Sequence, residues 1–167
     1  VNALSPRLAG KFQVSTTIIK LIPLFLMAIM GTIIGIKNGT LAANFSTIPT
    51  LSQIKAVKPD YTPVSNPLFT AIVAAAFAYE GWIIATSLNS AIKDGKQNLP
   101  IALVGGTFLI AVIYILYYIG LAGAADNITM ISSGETGAKI AFTNILGPMG
   151  STILMVFIVI SCLGTLN

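Results

Sequence analysis

Apolar residues gather in four long runs, at about residues 14–36, 68–92, 99–121 and 149–167, parted by stretches rich in Ser, Thr, Asn, Gly and Pro. A helix needs roughly 20 apolar residues to cross a bilayer, and the runs meet or approach that length. None alternates apolar and polar residues as barrel strands do, so the pattern predicts helices. Pro23 lies inside the first run and predicts a bend there. Residues 1–13 read as a short polar connection with a Ser5-Pro6 turn, and residues 37–66 as a long loop. Residues 93–98 form a charged turn closed by Leu99-Pro100 at the start of the third run. In the polar stretch 123–148, Ser132-Ser133-Gly134-Glu135 offers a helix N-cap with an acid in the first turn. Ala138, Ile140, Ala141, Ile145 and Leu146 then recur at helical spacing. A short amphipathic helix over about 133–146 is expected, at the membrane surface or over a vestibule, ended by Gly147-Pro148.

The second run is the unusual one. Near its midpoint it carries Glu80 followed by Gly81, with Phe77, Tyr79 and Trp82 around them. A carboxylate at mid-membrane costs several kcal/mol unless it is protonated, paired or wetted, roughly 2.5–3.5 on insertion scales. Glycine weakens a helix by about 1 kcal/mol relative to alanine. Together they predict a spanning helix interrupted where something polar binds. The plainer reading is a tolerated glycine beside a glutamic acid buried in its neutral form.

Composition fixes the class. Only 8% of the 167 residues are charged and 55% are hydrophobic, against about 25% charged in soluble domains. This is an all-α integral membrane protein, spanning the lipid bilayer several times. The net charge of +4 is small and scattered, which leaves nucleic-acid binding without support. There is no histidine, and the one cysteine, Cys162, sits in an apolar run as a packing residue. There is therefore no plausible zinc site and no Ser-His or Cys-His nucleophile pair, an enzyme reading has almost nothing to stand on, and neither a metal nor a cofactor is implied. Gly105-Gly106 follows no strand and is no phosphate loop. The triplets at Asn38, Asn44 and Asn127 match a glycosylation acceptor, a pattern that chance also produces. With no initiator Met and an end at Leu166-Asn167 inside an apolar run, the sequence reads as a piece of a longer protein.

Lys20 is the other ion within a run. It either snorkels to the interface or is a buried ammonium that holds helices together or titrates. Arg7, Lys11, Lys93 and Lys96 lie on one side in short segments, and Lys37, Lys55, Lys58 and Lys139 on the other in long loops. Orientation follows basic residues in short loops near helix ends, which puts residues 1–13 and 93–98 in the cytoplasm.

Phe77-Ala78-Tyr79-Glu80-Gly81-Trp82, then Leu88-Asn89-Ser90 and Lys93-Asp94-Gly95-Lys96-Gln97-Asn98-Leu99-Pro100, resemble the sixth helix and following turn of the L-type amino acid transporters. These belong to the amino acid–polyamine–organocation superfamily. Lys20 in Ile19-Lys20-Leu21-Ile22-Pro23 resembles that family's fifth-helix lysine, and Ser161-Cys162-Leu163-Gly164-Thr165-Leu166-Asn167 its eighth helix. The four runs would be helices five to eight of twelve, with helices one to four and nine to twelve outside this sequence.

The resemblance implies a five-plus-five inverted repeat with alternating access, an amino acid substrate and a place in the plasma membrane. Helices unwound at mid-membrane free backbone groups for substrate at the repeat interface. It puts Phe77, Ala78 and Glu80 around the substrate amine beside Gly81, with Phe77 as a gate. Trp82 and Ile83 would face the side-chain pocket. Lys20 would occupy the place of a sodium ion in coupled cousins, reaching the first helix and Ser161, near Thr165. Two departures stand out: Ala91 replaces a frequent acid, and Glu80 stands where several animal members have glycine. Animal members also use a single-span glycoprotein subunit, for which nothing here offers a matching surface. The alternatives are a proton-coupled or polyamine permease, with Glu80 binding a cation, and a non-transporting membrane scaffold in which Glu80 and Lys20 pair.

Overall fold

The computed structural model describes residues 6–79, 92 and 94–166. Among them every regular element is helical: α1 (Pro6–Leu26), a π-turn (Met27–Gly31), α2 (Thr32–Lys37), α3 (Thr40–Ser46), α4 (Leu51–Val57), α5 (Pro67–Ala78), α6 (Gly95–Ala124), α7 (Asn127–Ser133), a 3-10 turn (Gly134–Thr136), α8 (Gly137–Leu146) and α9 (Gly150–Leu166). Two helical stretches, Gly10–Lys37 and Gly95–Ala124, are long and apolar enough to cross a bilayer. Pro67–Ala78 and Gly150–Thr165 are shorter apolar helices.

Several boundaries differ from the sequence expectation for local reasons. Helix α1 starts at Pro6, because proline suits the first helical position, where no amide donor is needed. The long loop contains two helices. The second is opened by a capping box in which the Gln53 amide donates to Thr50 Oγ1 at 3.4 Å and the Thr50 amide donates to Gln53 Oε1 at 2.8 Å. Helix α6 begins at Gly95, where the Asp94 carbonyl accepts from the Gln97 and Asn98 amides at 2.9 and 3.0 Å. The N-cap expected at Ser132-Ser133 is not used: Ser133 is in helical geometry and caps nothing. Asp126 is the cap instead, taking the Thr129 amide at 2.9 Å and the Thr129 hydroxyl at 2.6 Å.

The chain divides into two compact units, Val1–Pro59 with Ile113–Asn167, and Asp60–Val112. The second holds α5 and the start of α6. In the first, α1 lies along α9, α8 packs on α9 and the π-turn, α3 on α2, and α4 on α7. Its core joins Met27, Leu121, Ala124, Ala125, Ala141, Phe142, Ile145 and Leu154. Met27 and Phe142 are the largest side chains wholly removed from solvent. The apolar face of α8 therefore closes on its own unit.

The π-turn and α2 meet α6 through bare backbone. A Cβ at Gly31 would overlap the Gly120 carbonyl oxygen, and one at Gly123 the Gly31 carbonyl oxygen. Gly35 meets the Gly123 Cα in the same way, and Gly120 the Met27 carbonyl. Lipid tails are as apolar as leucine, so close van der Waals contact between small residues is what holds such helices together.

One turn after Pro23, where a bend was expected, the helix widens into the π-turn. Pro23, Met27, Gly31 and Gly35 are all buried, at four-residue intervals. In a straight α-helix each four-residue step drifts about 40° from the starting face. The wider π-turn takes back part of that drift, so one face stays on its neighbours. The Thr32 amide reaches back to the Ile29 carbonyl, and the Thr32 hydroxyl donates to the Ala28 carbonyl at 2.5 Å.

Candidate functional site

Helix α5 opens with Asn66, whose Oδ1 accepts from the Phe69 amide at 3.0 Å, followed by Pro67 at the first position. It stops at Ala78. Tyr79 leaves helical geometry at φ −100° and ψ 16°, and its amide turns back to the Ala76 carbonyl at 3.1 Å. Phe77 and Ala78 thus stand in the last turn of α5, with Phe77 exposed. Glu80, Gly81, Trp82 and Ile83 lie outside the described residues, as do Ala91 and Lys93.

Lys20, Ser161 and Thr165 come together in the first unit. The contact begins lower on α1, at Thr16. Its side chain is buried, and its hydroxyl donates to the Phe12 and Gln13 carbonyls at 3.0 Å each. Gly164 of α9 presses on it: an added Cβ would stand 2.9 Å from Thr16 Cβ. That close approach sets the crossing of α1 and α9. One turn above Thr16, Lys20 Nζ donates to Thr165 Oγ1 at 3.0 Å. The Thr165 hydroxyl donates in turn to the Ser161 carbonyl at 2.9 Å. Ser161 thus takes part through its backbone. The half-buried ammonium is directed at the helix pair, and this is the only hydrogen bond it makes among the described residues.

A second polar cluster closes the far end of α6, and the sequence reading passed over it. The last carbonyls of a helix lack intrahelical donors. Here Asn44 Nδ2 donates to the Ala122 and Ala125 carbonyls at 2.6 and 2.9 Å, and Asn144 Nδ2 to the Ala124 carbonyl at 2.9 Å. Asn127 returns the contact, its amide to Asn44 Oδ1 at 3.0 Å and its Nδ2 to the Asn44 carbonyl at 2.9 Å. Asn44 and Asn127 were candidate glycosylation acceptors; a glycan on either Nδ2 would break this clasp. Asparagines near a helix end were the available signal, but which end they serve is decided by tertiary contact.

Asp126 sits beside the clasp. Burial pushes its carboxyl up, but the hydrogen bonds from the Thr129 hydroxyl and from backbone amides outweigh that and hold it below its ordinary value. Among the described residues no group of three His, Cys, Asp or Glu side chains could hold a metal ion. No buried side-chain polar atom among them lacks a hydrogen-bond partner.

A family model described as amino acid permease matches residues 1–167. The serine/threonine exchanger SteT of Bacillus subtilis is 29% identical over 168 residues, covering 100% of this chain and 34% of the relative. The putrescine transporter PotE of Escherichia coli K12 is 27% identical over 140 residues, 84% of this chain and 31% of the relative. The b(0,+)-type amino acid transporter 1 of Oryctolagus cuniculus is 25% identical over 167 residues, 100% of this chain and 32% of the relative. The chain spans about a third of the length of these curated relatives. No solved structure matches it.

Proposed function

Because the chain belongs to the amino acid permease family, we propose that it forms helices five to eight of a plasma-membrane amino acid exchanger working by alternating access. Membership makes it part of a multi-pass membrane protein in a family of permeases and antiporters, not of enzymes. In this reading the helix from Pro67 unwinds across about 77–81 within a five-plus-five repeat, and Phe77, Ala78, Glu80, Gly81, Trp82 and Ile83 line the amino acid site. One observation carries it. Helix α5 ends at Ala78, with Tyr79 bent back on Ala76, in the middle of an apolar stretch long enough to cross the bilayer. Carbonyls at a helix C-terminus carry partial negative charge and suit an ammonium. Phe77 can add a cation–π contact worth about 0.5–2 kcal/mol.

Lys20 then acts as a cation that bridges helix groups. It donates to Thr165, and its remaining donors are available to carbonyls of segments beyond this chain. Those partners would offset the cost of covering a half-buried ammonium. A second reading, diamine transport, is favoured by the putrescine transporters and the cadaverine/lysine antiporter among the relatives, with Glu80 meeting the cation. Counterflow in proteoliposomes of the full-length protein tests both. Exchange of external L-serine against internal L-serine supports the first, putrescine exchange the second, and exchange of neither rejects transport of both.

A further inference from the structure

We propose that the π-turn at Met27–Gly31 is a rotary joint in the first span, which swings Lys20 onto and off Thr165 as it converts between π and α geometry. The inference rests on the transport reading and adds a conformational device to it. Three observations from different parts of the unit meet at this turn.

The outer half of the span is locked. Gly31 and Gly35 lie backbone to backbone on Gly120 and Gly123, so α2 cannot turn without colliding with α6. The inner half packs along α9, where Thr16 lies against Gly164 and Lys20 on Thr165. Between them, the turn has its own release. In a regular helix the Thr32 amide would bond the Ala28 carbonyl; here it goes to Ile29, while the Thr32 hydroxyl donates to Ala28 as threonines of the regular helices do four residues back. The Ala28 carbonyl therefore keeps a donor in either geometry. Gly120 receives the Met27 carbonyl of the widened turn, which a side chain there would exclude.

Conversion of the π-turn to α geometry, with the outer half held, turns the inner half by one residue, about 100°. Lys20 cannot remain on Thr165 through such a rotation. Inserted turns of this kind in α-helices concentrate at functional sites, and this one sits two turns from Lys20.

Deleting Ile29, an exposed residue of the turn, removes the extra residue and leaves a continuous helix with both flanking faces kept. The reporter keeps Lys20 and Thr165 and is crosslinking by a short bis-maleimide between Ile19→Cys, beside Lys20, and the native exposed Cys162, one turn before Thr165, in the full-length protein with other reactive cysteines replaced. In the undeleted backbone, the yield should change threefold or more between no substrate and saturating L-serine or putrescine. With Ile29 deleted the yield should no longer respond, and counterflow by the deletion in the unmodified protein should fall at least tenfold. A flat yield in the undeleted backbone, or parental counterflow by the deletion, overturns the joint. Should the deletion not reach the membrane, the undeleted reporter decides alone. A parent protein that exchanges neither probe removes the transport reading itself, whereas an active parent with a flat crosslink removes only the joint.

Discussion

Replacing Asn44 tests the clasp that closes the end of α6. Asn44→Ala deletes three side-chain hydrogen bonds, two donated to the Ala122 and Ala125 carbonyls and one accepted from the Asn127 amide. Each contributes about 0.5–1.5 kcal/mol net, or about 1.5–4.5 in all. Water reaches the half-buried site and offsets part of the loss, so about 2–3 kcal/mol is expected. At 1.4 kcal/mol per decade, that is about 30- to 150-fold faster opening. The assay is hydrogen exchange by mass spectrometry on peptides covering 120–130 in the detergent-solubilised full-length protein. Asn44→Asp sharpens it: the carboxylate still accepts from Asn127 but sets an oxygen against two carbonyl oxygens, and should be less protected than Asn44→Ala. Protection within threefold of the parent in the alanine variant, or an aspartate variant as protected as the parent, would refute the reasoning.

Lys20→Ala should abolish most counterflow while surface expression stays near parental, and unchanged transport would reduce Lys20 to an interface residue. Gly123→Ala drives a Cβ into the Gly31 backbone and should destabilise by about 1–3 kcal/mol, the usual range for overpacking. Gly106→Ala, with nothing within 4 Å, should be neutral or gain about 1 kcal/mol of helix propensity; thermal unfolding in detergent compares the two. Asp126 is held below its ordinary pKa, so its contribution is present above the unfolded value of about 3.9 and is lost as pH falls through the folded value. Hence the drop in melting temperature between pH 6 and pH 3 should shrink in Asp126→Asn, and an unchanged drop would show that the cap does not titrate. Ser46→Cys and Ser133→Cys should both react with an impermeant maleimide on intact cells; labelling only after permeabilisation reverses the orientation.

The sequence by itself determined the class and the family. Long apolar runs with 8% charge and no strand-like alternation leave helices as the way to satisfy backbone groups in lipid. Local chemistry was equally direct where it was noticed. Gly147 ends α8 as expected, whereas the Asn66-Pro67 opening of α5, the Thr50 capping box and the Gly31-x-x-x-Gly35 spacing were readable but passed over. Tertiary structure alone decided which partners those features serve. Nothing in Gly31 or Gly35 names Gly120 and Gly123 as the facing backbone. Asn44 and Asn127 matched only a triplet that chance also produces, and their partners appear once the end of α6 is brought between them. Lys20 could as well have snorkelled; the close fit of Thr16 on Gly164 turned it onto Thr165. The π-turn was hidden for the same reason. Met27–Gly31 contains no residue that demands an extra amino acid in the turn, and the demand comes from keeping Met27, Gly31 and Gly35 on one neighbour over a length where a regular helix would have drifted away. Periodicity is a property of one segment, whereas register between segments is settled only when two surfaces meet.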